Sequence, residues 1–229
     1  MENLIKLRKE SPVLGTLLGV EGMHALDGKV ENVDLLYSKG VRMMATAHFF
    51  DNEVSGSAHG VVRAGLTDLG RQMVKRMIEL KILIDVAHAS EATIDDLVEM
   101  SAGKVPLLSS HTGLRSVCDN VRNLKDEHVK AIAKSGGLVG VAFFSPSLCG
   151  ESLLKSAVET MRYIKKIAGV DCIALGSDWD GAVSVSITPD RLVHLTNALK
   201  ASGDFTDSEI EKIMGGNVRR VLLANLPQN

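Results

Sequence analysis

The chain has 229 residues, 45% of them hydrophobic, and sets 26 Lys and Arg against 28 Asp and Glu. That length buries one sizeable core and fits a single α/β domain over residues 1–229. The two signs of charge are mixed along the chain, which argues against nucleic acid or an anionic membrane as partner and leaves a small neutral ligand.

Cys118, Cys149 and Cys172 lie far apart with no CxxC pair, so neither a structural zinc site nor a disulfide framework is indicated, and reduced thiols are expected. The opening twenty residues place Glu2 and Glu10 among their basic residues and carry only a short apolar stretch, unlike a secretory signal. No run of about 20 apolar residues is present to span a bilayer. The expected location is cytoplasmic.

Taken in chain order, six short apolar runs stand out: TLLGV (16–20), VRMMATA (41–47), ILIDVA (82–87), VPLLSS (105–110), GLVGVAFF (137–144) and CIALGS (172–177). Continuous rather than alternating apolarity fits strands covered on both faces, as in a parallel sheet flanked by helices. Between the runs lie segments with helical periodicity. In residues 66–81, Leu69, Met73, Met77 and Leu80 recur at helical spacing behind Thr67 as a cap. Residues 90–101, 125–135 and 151–169 follow the same pattern, and two further amphipathic stretches close the chain. Strict alternation of strand and helix predicts a (β/α) barrel or an open doubly wound sheet. A complete barrel has eight units; six are readable.

Five of the six runs end on a chemically capable side chain: Glu21, His48, His88, His111 and Asp178. In a parallel barrel the C-terminal strand ends open on one face, so residues distant in sequence converge there. Imidazole and carboxylate are the ligands of a borderline divalent ion such as zinc. A lone strand-end histidine is usually a hydrogen-bonded structural residue; five such residues in phase are not so easily dismissed. His24, His128 and His194 fall outside the phase and read as structural, while His59, in the loop GSAHG, is placed near the site only as a minor alternative. Arg122 has an ordinary reading as a surface ion pair with Asp119 or Asp126. Asp180 reads as a residue that orients its neighbours.

These residues sit in recognisable motifs: GVEGMH (19–24), AHFFDNEVSGSAHG (47–60), GLTDLGRQMVKRM (65–77), LIDVAHAS (83–90), SSHTGLRSVCDNVRN (109–123), GSDWDG (176–181) and GGNVRRVL (215–222). In order and spacing the chain resembles the membrane (renal) dipeptidase family, peptidase family M19. The resemblance implies a TIM-type (β/α) barrel of the metallo-dependent hydrolase kind and a zinc-dependent dipeptidase. It implies that Glu21 bridges two zinc ions, that His88 and His111 complete the second ion's shell, and that Asp178 handles the proton of the attacking water. It assigns His48 to the substrate carbonyl and Arg122 to the substrate's terminal carboxylate.

The chain departs from the family in one respect. Members open with a strand ending in His-x-Asp, which supplies ligands to the first zinc, whereas residues 1–20 contain no histidine. The expectation is therefore an incomplete barrel lacking its first two strands, holding one zinc rather than two, impaired in catalysis, and covering its open edges with a second copy or a complementing chain. Two alternatives stay open: a non-catalytic metal- or ligand-binding fragment, and an amidohydrolase acting on another small amide.

Overall fold

Each of the six apolar runs forms a strand in the computed structural model, which describes residues 14–102, 104–185 and 187–227. The strands are β1 (Leu18–Glu21), β2 (Val41–Ala45), β3 (Leu83–Asp85), β4 (Leu107–Thr112), β5 (Leu138–Ala142) and β6 (Ile173–Gly176). Most of the opening stretch read for a secretory signal lies outside the described residues. No helix among the described residues is long and apolar enough to cross a membrane.

The chain divides into two units, Met1–Leu107 with Arg219–Asn229, and Leu108–Val218. In the first unit β1, β2 and β3 are parallel, with Glu21 level with Ala45 and Ala45 level with Asp85. This register brings the three strands to a close at one level. Helix α1 (Glu31–Ser38) follows β1, α2 (Asp68–Glu79) follows β2 and α3 (Glu91–Ser101) follows β3. Thr67 caps α2 by accepting from the Gly70 amide, and Ser90 caps α3 by accepting from the Thr93 amide; each satisfies an amide that a helix N-terminus leaves without an intrahelical acceptor. The methionine stripe is core, with Met73 and Met77 fully buried.

In the second unit β4, β5 and β6 are parallel. Helices α4 (Asp126–Lys134), α5 (Ser145–Leu148), α6 (Leu153–Ala168), α7 (Leu192–Ser202) and α8 (Asp207–Glu211) complete it, and α9 (Asn217–Asn225) closes the chain. Helix α6 buries Ala157, Val158, Met161 and Ile164 along one face, the stripe that a helix lying on a sheet requires.

Strand β4 is irregular where the chemistry begins. Between the pairs Ser109–Val139 and Thr112–Val141, β4 advances three residues while β5 advances two. The extra residue bulges the strand at Ser110 and His111, and bulges re-aim side chains. Glycines opposite make room for it: a Cβ on Gly140 would stand 2.2 Å from the Ser110 carbonyl oxygen, and one on Gly176 would stand 2.4 Å from the same atom. Gly140→Ala is accordingly expected to destabilise the chain by about 1 to 3 kcal/mol through overpacking. A denaturant melt checks this, and an unchanged midpoint would show that the bulge yields freely.

One expectation is corrected. Cys118 and Cys149 form a disulfide with their Cα atoms 5.4 Å apart, while Cys172 is buried and takes no part in it. Their sequence separation of 31 hid the pairing, because the loop after β4 and helix α5 after β5 emerge side by side from neighbouring parallel strands. Since disulfides persist in oxidising compartments, the bond also removes one support of the cytoplasmic expectation.

Candidate metal and substrate site

In the first unit the strand-end residues converge. Gly22 follows Glu21 with φ at +97°, a left-handed conformation glycine tolerates, and its amide donates to the Ala45 carbonyl at 3.1 Å. The Glu21 carboxylate then lies between two imidazoles: Oε1 is 3.0 Å from His88 Nε2 and Oε2 is 3.8 Å from His48 Nε2. The His48 and His88 rings meet edge to face, with centroids 4.5 Å apart. His88 is buried, whereas Glu21 and His48 are partly exposed. His88 itself has φ at +64°, a conformation uncommon for a residue with a Cβ and concentrated at functional sites.

The loop between β2 and α2 holds this cluster in place. Ser57 and Ala89 form an antiparallel bridge, and the Ala58 amide donates to the His88 carbonyl at 2.7 Å. At the loop's centre Asp51 accepts from the amides of Ser57 and Val62, each at 2.8 Å. Burial opposes the ionised form of Asp51 and is the largest single influence, yet the amides of Ser57, Val62, Arg63 and Val61 together outweigh it and hold the carboxyl below its usual value. Phe49 packs on His48 at 4.3 Å, on His88 at 5.2 Å and on His59 at 5.6 Å. His59 thus stands beside the cluster, 6.0 Å from His88 between ring centroids. The minor alternative for His59 is the one the structure supports. His24 is exposed and His128 is buried within α4.

In the second unit His111 lies inside β4 rather than beyond its end. Its Nδ1 is 2.9 Å from Ser110 Oγ. The tautomer protonated at Nδ1 donates to that hydroxyl and presents the Nε2 lone pair, the arrangement seen when an outer partner orients a metal-binding histidine. Adjacent side chains on a regular strand point to opposite faces, so only the bulge permits this contact, and sequence periodicity concealed it. Arg122 is 7% exposed and donates from Nη2 to the His111 carbonyl at 2.9 Å. That burial disfavours the surface ion-pair reading, and Asp126 instead accepts from Ser116 and from Tyr163. Asp178 follows β6 with φ at +58°, and Asp180 accepts from the Ala182 amide at 2.7 Å, in keeping with an orienting role.

A carboxylate set against a buried imidazole, with further imidazoles beside it, is a donor set suited to a divalent ion. The sequence pattern of the membrane dipeptidase family, peptidase family M19, matches residues 1–226. The chain belongs to that family. It is 32% identical over 228 residues to an uncharacterized protein encoded in the pqqA 5′ region of Klebsiella pneumoniae, covering 93% of this chain and 83% of that protein. It is 30% identical over 222 residues to an uncharacterized dipeptidase of Schizosaccharomyces pombe, covering 89% of this chain and 51% of the yeast protein.

Among solved structures, the dipeptidase AC, an M19 metallopeptidase, superposes with a TM-score of 0.80 at 26% identity, over 91% of this chain and 65% of its own. A Rhodobacter sphaeroides metallopeptidase liganded with a phosphinate mimic of L-Ala-D-Ala gives 0.80 at 25%, over 91% and 63%. An amidohydrolase of Pseudomonas aeruginosa gives 0.84 at 26%, over 95% and 75%. The chain therefore spans about half of the yeast relative and somewhat under two thirds of the first two solved structures. The fold is the α/β architecture of the metallo-dependent hydrolase barrels, and the described residues form six of the eight strand-helix units of a complete barrel.

Proposed function

We propose that this chain is a zinc-dependent dipeptidase, in which Glu21, His88 and His111 hold the ion and Asp178, His48 and Arg122 act on the substrate. The observation that carries the reading is the Glu21 carboxylate set between His88 and His48 at the ends of three parallel strands, in a chain that matches the M19 family from residue 1 to 226. Two imidazoles and a carboxylate suit zinc, with room left for water as in catalytic sites. Bound there, the metal supplies Lewis acidity that makes water a competent nucleophile near neutral pH.

The chain's own residues perform the remaining work. Arg122 grips the C-terminal carboxylate of the dipeptide through parallel charge-assisted hydrogen bonds. His48 donates to the carbonyl oxygen of the scissile bond as negative charge develops on it. Asp178 takes a proton from the attacking water as the new carbon–oxygen bond forms, and delivers it to the amine nitrogen as the carbon–nitrogen bond breaks. Small peptides are the substrate class, and the relative holding a phosphinate dipeptide mimic supports it.

A second reading is a binding protein of the same family with little turnover. It needs only the shell proposed here from Glu21, His88 and His111, since three protein ligands hold an ion whether or not water is turned over there. The likeness to an amidohydrolase keeps another small amide as an alternative substrate. Elemental analysis of the purified chain and of His111→Ala, together with a dipeptide hydrolysis assay, tests these readings. The expected result is about one zinc per chain, lost in His111→Ala, with measurable hydrolysis by the unmodified protein. Equal metal in both samples removes the assignment, and metal without turnover selects the second reading.

A further inference from the structure

We infer that Asn123 is a positioning residue whose buried side-chain amide fixes the segment carrying Arg122, so that the guanidinium meets a substrate carboxylate; the inference rests on the role proposed above for Arg122. Asn123 is 3% exposed. Its Oδ1 accepts from the Gly113 amide at 3.0 Å, and its Nδ2 donates to the Cys118 carbonyl at 2.8 Å and to the Ser147 carbonyl at 2.9 Å. A primary amide has two N–H donors and one carbonyl acceptor, and here both donors and the acceptor are engaged. One side chain thereby ties together the end of β4, the middle of the following loop and helix α5.

The fit is tight. A Cβ on Gly113 would lie 1.9 Å from the Ser147 carbonyl and 2.8 Å from both polar atoms of the Asn123 amide, so the backbone closes directly over the side chain. Arg122 precedes this anchor and donates its own amide to Asn120 Oδ1 at 2.9 Å, while Asn120 Nδ2 donates to the Pro146 carbonyl at 3.0 Å. The Cys118–Cys149 disulfide joins the same two stretches. Asn120 and the disulfide attach the loop to the region of α5. Asn123 also attaches it to Gly113, two residues beyond His111, and so sets the loop relative to the strand that carries a proposed metal ligand. A bidentate grip on a carboxylate depends on placement, and a displacement of about 1 Å can cost on the order of a hundredfold.

A double-mutant cycle on the full zinc-loaded chain tests the inference. Calorimetry measures the affinity of a phosphinate dipeptide mimic ending in a free carboxylate and of the same mimic ending in a carboxamide, for the unmodified chain, Arg122→Ala, Asn123→Ser and the double variant. The ratio of the two affinities is the carboxylate discrimination. Asn123→Ser is expected to lower that ratio at least about tenfold while leaving carboxamide affinity within about threefold, and the double variant is expected to match Arg122→Ala alone, because coupled residues are non-additive.

A merely structural asparagine would lower both affinities together, or its effect would multiply with that of Arg122→Ala; either result overturns the inference. If Arg122→Ala abolishes discrimination and Asn123→Ser retains it, the inference fails while the Arg122 role stands. Should Arg122→Ala retain discrimination, or the unmodified chain bind neither mimic, the role of Arg122 fails and that of Asn123 falls with it. If Asn123→Ser does not fold, Asn123→Asp, which keeps the shape and the Oδ1 acceptor but loses both donors, takes its place under the same criteria.

Discussion

Arg122→Ala is expected to erase the preference for a dipeptide with a free C-terminus over its C-terminal amide. The arginine is almost fully buried and donates to the His111 carbonyl, so it belongs to the interior of its unit. Inside a protein a carboxylate left without its charged partner keeps its desolvation cost and loses its attraction, and truncating one partner of such a pair costs about 2 to 5 kcal/mol. The unmodified protein is therefore expected to hydrolyse the free dipeptide with a much larger kcat/KM than the amide, and the variant is expected to treat the two alike. The loss should fall mainly in KM if the grip is the same in ground and transition states. Steady-state kinetics on both substrates decides it. A preference of undiminished size in the variant would remove Arg122 from the substrate site.

Much of this architecture was legible because the strands are short, apolar and punctuated by polar ends. Glu21, His48 and His88 were readable as a cluster because each closes a run, and the observed register levels those closing points. Helix α2 was readable from Met73 and Met77 at helical spacing behind Thr67. Helix α1 was not, since Val33 is its one buried residue and leaves no stripe for periodicity to detect.

His111 was identified by type and placed one step wrong. It lies within β4, where an inserted residue turns it and Ser110 into hydrogen-bonding neighbours. The room for that bulge is provided by Gly140 and Gly176 on other strands, which no local window can connect to it. The disulfide and Asn123 were hidden for the same reason. Cys149 is 31 residues from Cys118, and Ser147, the most distant partner of Asn123, is 24 residues from it; these become neighbours only because parallel strands deliver their loops to one end. The family motifs exposed the side chains that carry chemistry, whereas the contacts that hold those side chains in place required the fold.

Asp178→Asn is expected to lower kcat by about two to four orders of magnitude, the usual worth of a positioned general acid–base group, with the metal content of the chain unchanged. The choice of asparagine follows from the backbone. Asp178 has φ at +58°, in the left-handed region that aspartate and asparagine enter far more readily than other residues carrying a Cβ. Asparagine therefore keeps both the shape of the side chain and the conformation of the loop after β6, and removes only the ability to accept and return a proton. Asp178→Ala would mix a backbone penalty with the chemical one, so it serves as a control for folding rather than as the test. Elemental analysis should find the zinc assigned to Glu21, His88 and His111 retained, because none of those ligands is altered, and KM should move little because Arg122 and His48 remain. If Asp178→Asn turns over dipeptide within about threefold of the unmodified chain, an effect far below what a proton-transfer group contributes, the proton passes through another group and Asp178 leaves the mechanism.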